Sequence, residues 1–308
     1  MRRLAPLLLL FFTLAGCAAQ PGNCDLVALA SMPLEIHNNL MSVIAGISGR
    51  PVRLLVDTGA ERTELTQAAA ARLGLPHDRH HMTRSYGIGG SSANWDVDIP
   101  GLTLGRTDFP VRRLAVGNFS VDRIDGLPAD GLLGADVLLA FDLDIDEPDH
   151  RLTLYRVRTC PYLRPPWEEP SFEIKGVEAR RDRLLVPIKL DGVSGMAVLD
   201  TGAQATTIGM AMAQRLGLTA PLLADDRVII AHGASPQPVD VHVHRFRELV
   251  VGDAHIESPA LAVAPQDPAM GDGLLGGDFL HGRRIWLSFP TRRLFVSMAG
   301  GSRLAMIR

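Results

Sequence analysis

Short apolar runs bounded by turn-forming residues recur along most of the chain. Arg53–Val56 and Met196–Leu199 are apolar-rich and each ends at an Asp-Thr-Gly triplet, and bounded runs of this length predict buried strands. Thr66–Leu73 and Gly209–Leu216 are rich in small and apolar residues, and each is followed by a glycine. This pattern predicts two short helices with a glycine stop at the C-terminal end.

A large segment of the chain is repeated. Asp57-Thr58-Gly59-Ala60 recurs 143 positions later as Asp200-Thr201-Gly202-Ala203. Two further pairs keep this step to within one residue: Arg72–Leu75 with Arg215–Leu218, and Asp130–Gly134 with Asp272–Gly276. The step is longer than the roughly 20–50 residues of a solenoid repeat, so it indicates duplication of a whole domain.

The repeat predicts two lobes, at residues 33–157 and 183–298. The segment 158–182 between them is rich in proline, which lacks a backbone donor, and we expect it to be a connector. Each lobe ends in a run that predicts a closing strand, Leu152–Tyr155 or Leu294–Val296. With few helices and two equal halves, the pattern predicts an all-β protein of two small barrels.

Composition narrows the class of protein further. Of 308 residues, 46% are hydrophobic and 21% are charged, which excludes a disordered or fibrous chain. Lys and Arg number 31 against 34 Asp and Glu, giving a net charge of -3. This balance offers no basic excess for nucleic acid, so we expect no nucleic-acid partner.

The N-terminus has the pattern of an export signal. Two arginines precede the apolar run Leu4–Phe12, which is shorter than the roughly 20 residues that span a bilayer. Leu14-Ala15-Gly16-Cys17 resembles the bacterial lipoprotein box, which implies a signal peptide at residues 1–16 and a lipid on Cys17. The chain would then be tethered in the cell envelope on the periplasmic side, and Ala18 favours the outer membrane. An ordinary cleaved signal with a stray cysteine is the alternative.

Cys24 and Cys160 remain after the lipid site is assigned. An exported compartment is oxidising, so the two cysteines are candidates for a disulfide. Closing a loop of this length would stabilise the fold by roughly 4–5 kcal/mol in the chain-entropy model. Two unpaired buried thiols are the alternative.

The doubled motif resembles the aspartic peptidases. Both halves contain two apolar residues followed by Asp-Thr-Gly-Ala, and further along the chain Asp-Gly-Leu-Leu-Gly. The alanine that follows Asp-Thr-Gly is typical of the retropepsin-like branch. The resemblance implies a bilobal single-chain enzyme with its active site between the lobes. It assigns Asp57 and Asp200 as the catalytic pair. The alternative is that these are ordinary turn aspartates, since Asp-x-Gly is common in turns.

Two carboxyl groups in close contact explain why the motif is present twice. They cannot both ionise, so they share one proton, and the pair then contains both a general base and a proton donor. The resemblance also implies that Thr58 and Thr201 brace each other beneath the pair. Residues on either side would support it: Gly59, Gly202, Ala60 and Ala203.

A glycine-rich segment follows the first aspartate by about thirty residues. Tyr86-Gly87-Ile88-Gly89-Gly90 resembles the flap, a hairpin that closes over the bound peptide in this family. A plain exposed hairpin turn is the alternative. The matching part of the second lobe has His232 in place of Gly89, which makes a second working flap doubtful.

Histidines supply the remaining candidates. His77, His80 and His81 could suggest a metal site, but they lie in a polar stretch that favours a solvated turn. His242 and His244 alternate in a strand-like stretch, which predicts exposed rim positions. We therefore expect no metal and no cofactor.

The resemblance implies a monomeric aspartic endopeptidase that acts on peptides or unfolded protein. The alternative is a peptide-binding envelope module on the same fold that has lost catalysis, because fold does not dictate function.

Overall fold

Strands make up most of the computed structural model, which describes residues 26–87, 90–117, 123–124, 127–157, 164–231 and 238–298. The strands of the first half are β1 (Leu26–Pro33), β2 (Glu35–His37), β3 (Leu40–Ile47), β4 (Arg50–Val56), β5 (Glu64–Thr66), β6 (His77–Gly87), β7 (Gly90–Asp98), β8 (Leu102–Leu104), β9 (Thr107–Phe109), β10 (Arg113–Gly117), β11 (Arg123–Ile124), β12 (Leu127–Pro128), β13 (Gly131–Leu133), β14 (Asp142–Asp146) and β15 (Arg151–Val157). Its helices are α1 (Gln67–Leu73) and α2 (Ala135–Leu138).

The second half has most of the same elements in the same order, but its described residues have no counterpart of β11 and β12. Its strands are β16 (Ser171–Ile174), β17 (Glu178–Arg180), β18 (Arg183–Leu190), β19 (Val193–Leu199), β20 (Thr207–Gly209), β21 (Arg227–Ala231), β22 (Val239–Arg245), β23 (Glu248–Val251), β24 (Ala254–Glu257), β25 (Ala260–Ala264), β26 (Gly273–Leu275), β27 (Arg284–Ser288) and β28 (Arg293–Ser297). Its helices are α3 (Met210–Arg215), α4 (Ala220–Leu223) and α5 (Gly277–Leu280), with a 3₁₀ turn at Pro268–Met270.

Each lobe is built on a ten-stranded sheet, and the two sheets have the same strand order. In lobe one the order is β6-β7-β10-β5-β13-β4-β3-β8-β9, with β2 paired to β3. In lobe two it is β21-β22-β25-β20-β26-β19-β18-β23-β24, with β17 paired to β18. The mostly β fold with two copies of one domain is therefore confirmed.

A third sheet crosses from one lobe to the other. Its order is β1-β15-β14-β27-β28-β16, with β14 and β27 antiparallel at the centre. The runs predicted to close each lobe, Leu152–Tyr155 and Leu294–Val296, lie in this shared sheet instead. They do so because each folds back as a hairpin on β14 or β27. Leu143 and Leu287 pair at its centre with no exposed surface.

The short helices form where the sequence predicts them. The hydroxyl of Thr66 caps α1 by accepting a hydrogen bond from the amide of Ala69 at 3.2 Å. Gly74 ends α1 with φ of 69°, a left-handed conformation that suits glycine. In lobe two the predicted helix is α3, which is shorter than the predicted run at each end.

The predicted connector 158–182 contains two strands that its proline content does not predict. β16 pairs with β28 and β17 pairs with β18. Both strands begin after Pro170, so their backbone donors are intact. Cys17, Cys24 and Cys160 lie outside the described residues, as do Ile88 and Gly89 of the predicted flap. In the part of the chain that is described, no helix has the length and apolar character needed to cross a membrane.

Candidate active site between the lobes

Asp57 and Asp200 each follow a buried strand at the centre of a lobe. Asp57 comes directly after β4, and its amide donates to the carbonyl of Leu133 on β13 at 3.0 Å. Asp200 comes directly after β19, and its amide donates to Leu275 on β26 at the same distance. The same parallel strand pairing thus presents one aspartate from each lobe at the interface.

The two carboxyl groups are buried and in contact. Asp57 is 9% exposed, Asp200 is 7% exposed, and their side chains are hydrogen-bonded to each other. Each carboxyl group also lies against the glycine of the opposite loop. A Cβ atom at Gly59 would lie 2.4 Å from Asp200 Cγ, and one at Gly202 would lie 2.4 Å from Asp57 Cγ. Glycine is therefore required on both sides for the carboxyl groups to meet.

The Asp57 carboxyl group accepts more backbone amide hydrogen bonds than the Asp200 carboxyl group does. Asp57 Oδ1 accepts hydrogen bonds from the amides of Gly59 at 2.9 Å and Ala60 at 2.8 Å. Asp200 Oδ1 accepts from Gly202 at 2.9 Å, whereas the next amide donates to the main-chain oxygen of Asp200 at 3.3 Å. A carboxylate is stabilised by each amide that it accepts from, so Asp57 is the better site for the negative charge.

Burial raises the pKa of both aspartates. The pKa of Asp200 is raised furthest, first by desolvation and then by the charge of Asp57. The pKa of Asp57 is also raised by desolvation, but the amides of Ala60 and Gly59 oppose the change. The guanidinium of Arg183 lowers the pKa of both groups. Burial and mutual repulsion therefore disfavour ionisation of both groups at once, and the amide contacts favour the negative charge on Asp57 over Asp200.

Thr58 and Thr201 brace the two loops beneath the carboxyl groups. Each hydroxyl accepts the amide of the other threonine at 3.1 Å. Thr58 Oγ1 donates to the carbonyl of Leu199 at 2.7 Å, and Thr201 Oγ1 donates to that of Val56 at 2.5 Å. Both threonines are 1% exposed. Four buried hydrogen bonds therefore cross the lobe interface next to the paired carboxyl groups of Asp57 and Asp200, which we call the dyad.

The residues after the glycines link each loop to the short helix that follows in the same lobe. The carbonyl of Ala60 accepts from the amide of Ala135 in α2 at 2.9 Å. The carbonyl of Ala203 accepts from Gly277 in α5 at 2.8 Å. The two alanines thus act in the site through their main chains.

Arg183 is a site residue that the sequence pattern did not reveal. It begins β18 in lobe two, yet it is 1% exposed and reaches into lobe one. Its Nε donates to the carbonyl of Gly59 at 2.5 Å, and its Nη1 binds Glu61 Oε1 at 2.7 Å. The matching position of lobe one is Leu40, so the repeat gives no signal for this arginine.

An aspartate side chain supports the loop after each of the paired aspartates, and the one in lobe two, Asp278, is buried. In lobe two, Asp278 Oδ1 accepts from the amide of Thr206 at 2.8 Å and from its hydroxyl at 2.7 Å. The same hydroxyl accepts from the amide of Gly276 at 3.2 Å. Asp136 and Thr63 make the equivalent contacts in lobe one. These contacts fix the main chain that carries the dyad.

Asp278 is expected to make stability depend on pH. Burial raises its pKa from 3.8 to about 6, so its contribution to stability is full below pH 3.8 and is lost as pH rises through 6. The loss is on the order of 3 kcal/mol by linkage. Denaturant unfolding at a series of pH values checks this. Asp278→Asn keeps the acceptor oxygen and should flatten the profile between these values, and an unchanged profile would contradict the assignment.

The predicted flap lies at the turn of the β6-β7 hairpin. The backbone pairs Tyr86 with Ser91 and Gly87 with Gly90. In lobe two the equivalent strands β21 and β22 are paired, and residues 232–237 between them lie outside the described residues. That His232 prevents a second working flap therefore stays a prediction.

The histidines lie on strands rather than in turns. His77, His80 and His81 are exposed as predicted, but they belong to β6 and not to a turn: His77 pairs with Val97, and the other two lie in the bulge between Asp78 and Met82. His81 Nδ1 contacts the carboxylate of Asp78 at 2.5 Å. Within the described ranges, no three His, Cys, Asp or Glu side chains are grouped so that they could hold a metal ion.

The predicted rim histidines are also more enclosed than expected. His242 and His244 are half-buried because β22 lies between β21 and β25. His244 Nδ1 lies 2.7 Å from Asp226 Oδ2. The prediction of exposed positions is therefore wrong.

Comparison with known proteins identifies the fold that carries this site. A family profile described as "Aspartyl protease" matches residues 43–137 and again 186–279, which together cover more than half of the chain. Each match contains one Asp-Thr-Gly triplet and the strand that pairs next to it, β13 in lobe one and β26 in lobe two. No curated protein matches the chain in a sequence search. The chain belongs to the aspartyl protease family, as a retropepsin-like member with two copies of the domain in one polypeptide.

Proposed function

We propose that the chain is an aspartic endopeptidase that hydrolyses peptide bonds with water activated by Asp57 and Asp200. The observation that supports this most directly is the hydrogen bond between two buried carboxyl groups, one from each lobe. A pair of turn aspartates would have no reason to be buried against each other, since burial of two acids raises the pKa of both.

The amide contacts suggest separate roles for the two acids. Asp57, with two amide donors, is the general base that takes a proton from water as the water oxygen attacks the carbonyl carbon. Asp200 gives its proton to the carbonyl oxygen, forming a gem-diol. Asp57 then passes its proton to the leaving nitrogen as the C–N bond breaks. Asp200 recovers a proton from one hydroxyl of the gem-diol, which restores the starting state.

The substrate we propose is an extended peptide or unfolded protein segment bound between the lobes, at the paired aspartates. The β6-β7 hairpin could add backbone hydrogen bonds to such a segment, as strand addition does elsewhere. Both acids come from one chain, so a monomer would be complete. We further propose that Cys17 carries a lipid that tethers the enzyme to the outer membrane on the periplasmic side, on the pattern of Leu14–Cys17.

Cleavage of unfolded casein and of a peptide library, from acid to neutral pH, tests the proposal. We expect cleavage that a statine-type inhibitor blocks and that falls as pH rises past the pKa of Asp200, because the proton donor is then lost. Inhibitor binding without cleavage at any pH would overturn the proposal and favour a peptide-binding module on the same fold.

A further inference from the structure

Glu64 joins the lobe-one hairpin to the strand β5, which follows the Asp57 loop. Glu64 Oε2 accepts from Asn94 Nδ2 at 3.1 Å, and Oε1 accepts from the hydroxyl of Ser85. Asn94 Nδ2 also donates to Ser85 Oγ at 2.9 Å. Ser85 is on β6 and Asn94 is on β7, so one carboxyl group binds both strands of the hairpin. Glu64 is 4% exposed and Asn94 is 3% exposed, whereas Ser85 is half-buried, so the carboxyl group and the amide are shielded from solvent.

The network has no equivalent in the described part of lobe two. The pairing registers of the two sheets match Glu64 with Thr207, Ser85 with Ala231 and Asn94 with Val241. Val241 and Ala231 belong to a small apolar cluster beneath the β21-β22 hairpin. The hydroxyl of Thr207 donates to the carbonyl of Ala205 at 3.2 Å. The two hairpins are therefore held to their lobes by different physical means.

On the basis of the proposed function, we propose that Glu64 is a positioning residue that fixes the lobe-one hairpin relative to the main chain that carries Asp57. β5 pairs with β13, whose Leu133 accepts the amide of Asp57. A buried hydrogen-bond network from β5 to both hairpin strands thus connects the hairpin to the main chain that carries the dyad. Buried networks of this kind limit the positions that their members can adopt.

Charge around Glu64 makes the connection sensitive to pH. The pKa of Glu64 is raised from 4.5 to about 7, first by desolvation and then by the carboxylates of Asp57, Asp136 and Asp96, although the hydroxyl of Ser85 lowers it. These acids face Glu64 from the dyad loop, α2 and β7, whereas its neighbours on β10 and β13 are Ala115 and Leu132. Glu64 is buried against the hairpin, and burial disfavours its charged form, so ionisation above pH 7 favours release of the hairpin and the hairpin is held most firmly when Glu64 is neutral.

Hydrogen exchange of the β6 and β7 amides in the absence of substrate tests the inference. We expect Glu64→Val to speed exchange about tenfold at acid pH, because the buried hydrogen bonds are lost. Glu64→Gln removes the charge and keeps the shape, with its oxygen accepting from Asn94 and its amide donating to the Ser85 hydroxyl, so its protection, corrected for intrinsic exchange, should not fall above pH 7 as it does in the wild type. Thr207→Val, at the matching position of lobe two, should leave β6 and β7 unchanged.

Kinetics give the second readout. Glu64→Val should raise KM about tenfold while kcat changes less than about twofold, because hairpin closure and not the chemical step is weakened. Glu64→Gln should restore KM and extend activity to higher pH. Wild-type exchange rates in both Glu64 variants would overturn the inference. Hydrogen exchange is measured without cleavage. A protein that cleaves no substrate would therefore contradict the proposed function, but the exchange test of Glu64 would still be valid.

Discussion

Asp57→Asn and Asp200→Asn are each expected to lower kcat about a thousandfold or more, since either change removes the general base or the proton donor from the shared pair. Asparagine has nearly the same shape, so the fold should be retained. At neutral pH the Tm should be equal to or higher than that of the wild type, because a buried ionisable group has been removed. Cleavage rate and thermal unfolding of the same purified proteins measure both effects.

Asp108→Asn is the matched control for these two variants. Asp108 is exposed and bonds to the hydroxyl of Thr103, far in sequence from either loop. We expect its kcat and Tm to stay close to those of the wild type. Proteolysis at wild-type rates in either purified dyad variant would rule out the mechanism.

Gly59→Ala is expected to abolish cleavage as fully as loss of an aspartate. The new methyl group would lie 2.4 Å from Asp200 Cγ and 2.6 Å from both of its oxygens, so the carboxyl groups must move apart. Overpacking of this kind costs about 1–3 kcal/mol of stability, and the loss of dyad contact removes the shared proton.

Gly46→Ala provides the comparison for this glycine. Its added methyl group would lie 3.4 Å from Thr103 Cβ, an ordinary contact, so we expect nearly normal activity and stability. The measurements are kcat/KM and the free energy of unfolding for both variants. A folded Gly59→Ala protein with normal kcat/KM would show that close approach of the dyad is not needed.

The parts of the site that depend on local pattern could be predicted from the sequence. The repeat of Asp-Thr-Gly at a constant step predicted that Asp57 and Asp200 act together, and the alanine-rich runs predicted α1 and α3. Arg183 and Glu64 could not be found this way, because their partners are distant in sequence and depend on strand register. Such pairings are fixed by tertiary packing, which a single sequence does not encode in a short window.

The sheet that joins the two lobes could not be predicted from the sequence pattern either. The runs at the end of each lobe have the composition of strands, but composition does not say which edge a strand will join. The structure pairs β14 with β27 over Asp142–Asp146 and Arg284–Ser288. A closing strand within one lobe and a central strand between lobes have the same apolar alternation.

The sheet that crosses the lobes has a consequence for how substrate enters. Opening the cleft by a hinge between the lobes would break the ladder of five residue pairs between β14 and β27, together with the buried threonine bonds below the dyad. Such a motion would require partial unfolding and not a low-energy bend. On the proposed function, we therefore expect peptide entry and release to depend on movement of the hairpins, with the two lobes staying fixed relative to each other.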